Sequence, residues 1–291
     1  MGSGTVKPVA WAAGGRAALA GHIWQNEVMN PAVSGMADAN GAGLYYELRG
    51  HGPSLLFVSG APGDAEDFAH VAALLADDFM VLTYDRRGFS RSSRVDDCEG
   101  TSVAQQADDA AALLETLGLA PAGVWGSSAG AIIALDLLLR HPRSVRQVML
   151  YEPPLMAGVA DPESHMAVLR RAFAQGRSPG TLGNIAGLGP DRFSRMPVSS
   201  RERIIANRDH FQRFEFDRVE WYEPSPDAMA GADRPVAVLA GTDSAPFFRE
   251  AADWLADELG VTVTVIPGGH TPQEDRPQDV AKAVRAFMLP K

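Results

Sequence analysis

The chain has 291 residues, of which 46% are hydrophobic and 21% charged, so it can bury a sizeable core like an ordinary globular protein. Its net charge is −10, and the acidic residues are spread along the chain, which argues against nucleic acid or an anionic membrane as the main partner. Cys98 is the single cysteine, which excludes an internal disulfide and a cysteine-based metal cluster. We therefore expect a cytoplasmic protein that takes a small-molecule substrate and has no membrane partner; composition leaves the oligomeric state open.

An Ala- and Gly-rich segment opens the chain, and its apolar residues are interrupted at Gly14, Gly15 and Arg16. It is a poor signal peptide, because its start is weakly charged and no convincing cleavage site follows. Residues 1–36 are accordingly predicted to be a flexible N-terminal extension. The alternative is a translation start downstream, at Met36 or shortly before it.

Apolar and alternating runs then recur with helix-compatible stretches between them. Strands are predicted at 43–49, 54–59, 79–84, 123–126, 145–151, 235–240 and 261–266. Helices are predicted at 65–76, 102–117, 129–140, 247–259 and 275–288. Strands that alternate with helices predict an α/β fold with a mostly parallel central sheet and helices on both faces.

The alternation is interrupted after Glu152. Residues 153–230 contain no comparable buried strand, and stretches 166–175 and 200–214 have helical character. The sequence therefore predicts a core of residues 37–152 and 231–291, with 153–230 inserted as a helical cap.

A nucleophile is indicated where the fourth predicted strand ends. Gly126-Ser127-Ser128-Ala129-Gly130 has the form G-x-S-x-G and lies between an apolar strand and an apolar helix. A sharp strand-to-helix turn of this kind forces its central residue into a strained conformation that exposes the side chain. Ser128 is the predicted nucleophile, and the amide of Ala129, at a helix N-terminus, is suited to stabilise a developing negative charge.

A serine hydroxyl needs a base, and His270 is the best placed of the seven histidines. It follows the last predicted strand through a Pro-Gly-Gly loop, which carries it to the same edge of the sheet as Ser128. His165 and His210 fall in the predicted cap, where a structural or exposed role is the simpler interpretation.

The order of Ser128, a carboxylate and His270, together with the segment Tyr84-Asp85-Arg86-Arg87-Gly88-Phe89-Ser90, resembles the α/β-hydrolase superfamily over roughly residues 40–290. The resemblance implies the α/β-hydrolase fold, a Ser-acid-His triad, activity on carboxylic esters or related acyl bonds, and no cofactor or metal. Asp85, Arg86 and Arg87 are interpreted as a buried ion-pair network rather than as catalytic groups.

The acid of the triad is left with two candidates. Many relatives carry it in a G-x-x-D pattern after the penultimate strand, whereas here Asp243 comes one position early after Gly241. Glu152, directly after the strand at 145–151, is in a position that some members of the superfamily use. Both satisfy the nucleophile–acid–base order, so both remain open.

Besides the early position of Asp243, the chain departs from the family pattern at Ser59-Gly60-Ala61-Pro62-Gly63. This segment resembles the oxyanion loop H-G-x-P-G with serine in place of histidine. The resemblance implies the amide of Ala61 as the second oxyanion donor, and a backbone group is unaffected by that change.

The substrate pocket is predicted from the aromatic residues of the cap. Phe211, Phe214 and Trp221 could line an apolar pocket over the nucleophile, or could form the small core of the cap itself. The predicted enzyme is an esterase or lactonase, with perhydrolase or C–C hydrolase activity as variants. The competing hypothesis is a non-catalytic small-molecule-binding protein on the same scaffold, which the displaced Asp243 favours.

Overall fold

A computed structural model describes residues 32–93, 101–175 and 198–289, and all structural statements refer to these residues. They contain one eight-stranded sheet with the order β1-β2-β4-β3-β5-β6-β7-β8. The strands are β1 Val33–Ala39, β2 Ala42–Gly50, β3 Ser54–Val58, β4 Met80–Tyr84, β5 Ala122–Ser127, β6 Val145–Tyr151, β7 Val236–Gly241 and β8 Val263–Ile266.

The sheet is antiparallel at one end and parallel over the rest. Strands β1 and β2 form a hairpin, and β2 pairs antiparallel with β4. All other neighbours, from β4 through β3 to β8, run parallel. The predicted fold class, a mostly parallel sheet with helices, is confirmed. Strand β1 was not predicted; it begins at Val33, four residues before the expected start of the core, and residues 1–31 lie outside the described part.

Helices cover both faces of the sheet. The core helices are α1 Ala69–Leu75, α2 Val103–Thr116, α3 Ala129–Arg140, α8 Pro246–Glu258, α9 Pro272–Asp275 and α10 Pro277–Met288. Strand β3 shows why two layers form: Leu55 and Phe57 pack with α1 and α10, whereas Leu56 and Val58 pack with α2, α3 and α8. Successive side chains of a strand point to opposite faces, so each apolar residue finds a core on its own side.

The insertion after β6 is helical in its described part. It contains α4 Pro162–Gln175, α5 Val198–Phe214, α6 Phe216–Glu220 and α7 Pro226–Ala230. The predicted helices at 166–175 and 200–214 thus correspond to α4 and α5, and residues 176–197 lie outside the described residues. The predicted division of the chain into extension, core and cap stays a prediction, although β6 ends at Tyr151, next to the expected boundary. Among the described helices, none is long and apolar enough to cross a bilayer.

Candidate active site

Ser128 occupies a strained turn between β5 and α3. Its backbone has φ 56° and ψ −127°, a conformation that residues other than glycine rarely adopt. The two flanking glycines permit the turn: a Cβ on Gly126 would lie 2.4 Å from the Gly130 carbonyl oxygen, and a Cβ on Gly130 would lie 2.1 Å from that of Val58. Ser128 is partly accessible whereas Ser127 is buried, so the turn presents the hydroxyl at position 128.

The topology brings the other predicted residues to the same edge. Strands β5, β6, β7 and β8 are consecutive and parallel, so their carboxyl ends lie side by side. Ser128 follows β5 directly and Glu152 follows β6 directly, and the Ser128 amide donates to the Tyr151 carbonyl at 2.9 Å. His270 leaves the end of β8 four residues after Ile266.

His270 is paired with Glu152. Nδ1 of the imidazole lies 2.7 Å from Oε2 of the carboxylate, and the other carboxylate oxygen accepts a hydrogen bond from the Gly241 amide at 2.7 Å. Glu152 is fully buried, and the His270 side chain is about one third exposed. Like Ser128, Glu152 has a positive φ, 47°. Both carboxylate oxygens are therefore fixed, and one of them fixes the imidazole.

Asp243, the other acid candidate, is placed differently. Its side chain is exposed to solvent, and its backbone amide donates to the Gly268 carbonyl at 2.9 Å. The carboxylate that is hydrogen-bonded to the imidazole is that of Glu152 instead. Asp243 thus serves the loop before His270 through its backbone.

Two contacts around His270 had no signal in the sequence. The ring of Phe248 stacks on the imidazole, with centroids 3.7 Å apart and planes 13° apart. The Tyr151 hydroxyl donates to the Gly269 carbonyl at 2.5 Å, directly before His270. The ring plane and the loop are both restrained, since an aromatic side chain and a buried hydroxyl group hold them from different elements.

The loop after β3 borders the nucleophile. A Cβ on Gly60 would lie 2.9 Å from the Ser128 Cβ and 3.5 Å from its Oγ, so the loop backbone passes directly beside the serine. The loop turns tightly, with the Gly63 amide donating to the Gly60 carbonyl at 3.0 Å. Ala61 lies within this turn. Ala129 is the first residue of α3, where backbone N–H groups have no partner within the helix.

A second carboxylate lies near the imidazole. Asp67 accepts hydrogen bonds from Ser59 Oγ at 2.9 Å and from Gln273 Nε2 at 3.3 Å, and so links the loop after β3 to α9. Burial is the main cause that raises its pKa to about 6, and the hydrogen bonds from Ser59 and Gln273 oppose the rise. Asp64 raises this pKa further, whereas His270 lowers it.

The predicted ion-pair network of the segment after β4 is present. Asp85 pairs with Arg91 at 2.6 Å, and Arg87 binds Asp109 through its Nε at 2.7 Å. Each of the three predicted members is buried, with an exposed fraction of 8% or less. Arg86 pairs with Glu215, which lies in the insertion after β6, at 2.7 Å. Among the described residues, no group of His, Cys, Asp or Glu side chains is arranged to hold a metal ion.

The aromatic residues of the cap lie in different environments. Phe211 is buried and packs edge-on against Phe216, with ring centroids 6.0 Å apart. Phe214 is partly buried with its ring 5.0 Å from that of His210, and Trp221 is 37% exposed. Phe211 belongs to the same buried apolar cluster as residues of α2 and α3, so it packs with the core of the protein, and the pocket role of these residues stays a prediction.

Comparison with known proteins agrees with this fold. Residues 53–277 match the family model described as the alpha/beta hydrolase fold. An uncharacterized hydrolase, YraK of Bacillus subtilis, is 33% identical over 82% of this chain and 89% of its own length. A zearalenone hydrolase of Bionectria ochroleuca is 29% identical over 86% of this chain and 96% of its own length. The solved esterase of Thermogutta terrifontis has a TM-score of 0.68 at 23% identity, over 88% of this chain and 98% of its own. The family match covers most of the chain and YraK is more than 30% identical, and so this chain belongs to the alpha/beta hydrolase family.

Proposed function

We propose that the protein is a serine hydrolase that cleaves a carboxylic ester or a related acyl bond, such as a lactone, without a cofactor. The observation that carries the proposal is the 2.7 Å pair between His270 and Glu152, at the same sheet edge as the strained turn of Ser128. A base oriented by a buried carboxylate and a serine on a strand-to-helix turn are the parts that acyl transfer requires.

The proposed mechanism follows from the hydrogen bond that His270 makes to Glu152. Because Nδ1 of His270 is bonded to Glu152, Nε2 is the nitrogen that takes the proton from Ser128 Oγ. The oxygen attacks the substrate carbonyl, and the amides of Ala61 and Ala129 stabilise the oxyanion. The imidazolium then protonates the leaving alcohol, water attacks the acyl-enzyme with His270 as base, and Ser128 is regenerated. Glu152 holds the tautomer and stabilises the imidazolium throughout.

The first test is covalent labelling with a fluorophosphonate probe. We expect the wild type to be labelled and Ser128→Ala to remain unlabelled. Ser127→Ala is the matched control, since it removes the neighbouring hydroxyl, which is 2% exposed, and should retain labelling. A wild type that resists the probe, or a Ser128→Ala variant that still reacts, would refute the proposal.

The acid is tested by a pair of conservative variants. Glu152→Gln should lower kcat on a chromogenic ester by about 10³–10⁴-fold, because a carboxamide neither stabilises the imidazolium nor enforces the correct tautomer. Asp243→Asn should stay within about threefold of the wild type, because its side chain is exposed. The reverse ranking would assign the role to Asp243.

The competing hypothesis of a non-catalytic binding protein rested on the displaced Asp243. It loses that support, because Glu152 supplies a carboxylate to His270 at hydrogen-bond distance. A substrate panel of chromogenic esters and lactones should include zearalenone, since one relative is a zearalenone hydrolase. The panel also separates ester cleavage from C–C hydrolase activity, which would leave the simple esters unchanged. Perhydrolase activity is recognised by peracid formation when hydrogen peroxide is added to an ester that the enzyme cleaves.

A further inference from the structure

The peptide unit between Gly60 and Ala61 is held by two hydrogen bonds to its carbonyl oxygen. Nη2 of Arg86 donates to Gly60 O at 2.8 Å, and the Gly63 amide donates to the same atom at 3.0 Å. In a planar trans peptide the C=O and N–H groups point in opposite directions. These two bonds therefore fix the direction of the Ala61 N–H, away from the guanidinium.

Arg86 itself is held by the cap. It is fully buried, and its Nη1 donates to Oε2 of Glu215 at 2.7 Å and to Gln106. Glu215 lies between α5 and α6 and is 1% exposed; its other carboxylate oxygen accepts from Thr101 Oγ1 at 2.7 Å. A buried charge without its counter-ion is strongly unfavourable, so the guanidinium stays where Glu215 is. Glu215 of the cap thus determines the position of the Arg86 guanidinium, which donates to the Gly60 carbonyl.

The carbonyl of Pro62, one residue after Ala61, is also held from the cap. Asn207, on α5, donates through Nδ2 to Pro62 O at 2.8 Å, and its Oδ1 accepts from the Ser90 amide at 3.0 Å. Asn207 is buried. The backbone on both sides of Ala61 is therefore restrained by side chains that belong to the cap or depend on it.

We propose that Arg86, fixed by Glu215 of the cap, is a positioning residue that holds the Gly60–Ala61 peptide in the orientation required of an oxyanion donor. This rests on the proposed function, in which the Ala61 amide binds the oxyanion. The cap then acts on the reaction through the loop after β3, besides any contact with the substrate. A charged donor on Gly60 O also polarises the peptide and strengthens the N–H on its other side.

The expected effect falls on the transition state. If the peptide rotates, the Ala61 N–H no longer faces the developing charge, and complete loss of such a donor lowers kcat by about 10²–10³-fold. The ground-state carbonyl carries little charge, so KM should change little. Arg86→Lys keeps the charge but lacks the planar fork that reaches Gly60 and Glu215 together. Glu215→Gln keeps the shape and removes the counter-ion.

The experiment measures kcat and KM per active site, titrated with a fluorophosphonate, for the wild type, Arg86→Lys and Glu215→Gln. The same variants are titrated with an aryl trifluoromethyl ketone, whose adduct with serine carries an oxyanion. Arg87→Lys is the matched control: it weakens the neighbouring buried pair with Asp109, and the Arg87 guanidinium donates to Asp109 and to the Asn40 carbonyl rather than to Gly60. We expect the first two variants to lose about 10–100-fold in kcat and in ketone affinity together, with KM within about threefold and Arg87→Lys close to the wild type.

Titration restricts the comparison to folded, competent sites, so that a loss of stability alone does not imitate the effect. Wild-type kcat in both test variants, unchanged ketone affinity, or an equal loss of kcat in Arg87→Lys would overturn the positioning role. If the wild type is not labelled at Ser128, the proposed function fails first. A labelled, active wild type with indifferent variants refutes only the role of Arg86 and Glu215.

Discussion

Asp67 gives the protein a pH-dependent stability whose sign follows from its surroundings. Burial raises the pKa of this carboxyl from 3.8 to about 6 in the folded state. Between these values the unfolded chain releases the proton more readily, so unfolding becomes more favourable as the pH rises. The contribution of the protonated carboxyl is fully present below about pH 4 and is lost as the pH passes through 6. A shift of about two units corresponds to about 3 kcal/mol.

Asp67→Asn replaces the carboxyl by a neutral group of the same shape that can still accept a hydrogen bond from Ser59 or Gln273. At pH 7.5 the variant should be about 2–3 kcal/mol more stable than the wild type, and at pH 4 the two should nearly coincide. The assay is urea unfolding at five pH values from 4 to 8, followed by tryptophan fluorescence. Asp253→Asn is the control, because this carboxylate is half exposed and should shift stability by less than about 0.5 kcal/mol at any pH.

The result that refutes this reasoning is a stability difference between Asp67→Asn and the wild type that stays constant from pH 4 to 8. A constant offset would mean that the Asp67 carboxyl has the same proton affinity in the folded and unfolded chains. A variant less stable at pH 7.5 than at pH 4, relative to the wild type, would mean that the folded state favours the ionised form.

Three further variants test individual contacts by the same unfolding measurement. Ser128→Gly should be more stable than Ser128→Ala by about 1–2 kcal/mol, because only glycine relieves a φ of 56°; equal stability would mean that the turn stores no strain. Arg87→Lys should lose about 2–3 kcal/mol, since lysine cannot bind both oxygens of buried Asp109, and an unchanged midpoint would contradict this. Tyr222→Phe should lose about 1 kcal/mol by breaking its 2.7 Å bond to Asp136, and a neutral result would show that water replaces it.

The core elements could be predicted because their signals are local. Helix α3 and strand β6 have the predicted bounds, since a continuous apolar run and the stop at His141-Pro142 mark them clearly. Strand β1 was missed because it lies at the edge of the sheet and presents Val33 and Met36 to solvent, which obscures its alternation. The single helix predicted at 65–76 is a 3₁₀ turn followed by α1, a distinction too fine for apolar spacing.

The site could be predicted in part, because a serine in a strand-to-helix turn and a histidine after the last strand are marked by neighbouring residues. Which of the two acid candidates pairs with His270 could not be predicted, since Glu152 and Asp243 lie 91 positions apart and only the alignment of their strands distinguishes them. The alignment of β6 and β7 brings the Gly241 amide to the Glu152 carboxylate, and no short stretch of sequence encodes that contact. The stacking of Phe248 on the imidazole is equally non-local.

Backbone strain separates the two acid candidates where sequence does not. Among the described residues, the non-glycine positions with positive φ are Asn40, Ser90, Ser128 and Glu152. Asn40 is ordinary, because it precedes Gly41 in the hairpin turn between β1 and β2. Ser128 and Glu152 have no such local reason: they directly follow the neighbouring parallel strands β5 and β6, and each carries a group that the proposed mechanism uses. Strain at those two positions is retained because the surrounding sheet enforces it, and the Glu152 carboxylate that it orients is hydrogen-bonded to His270.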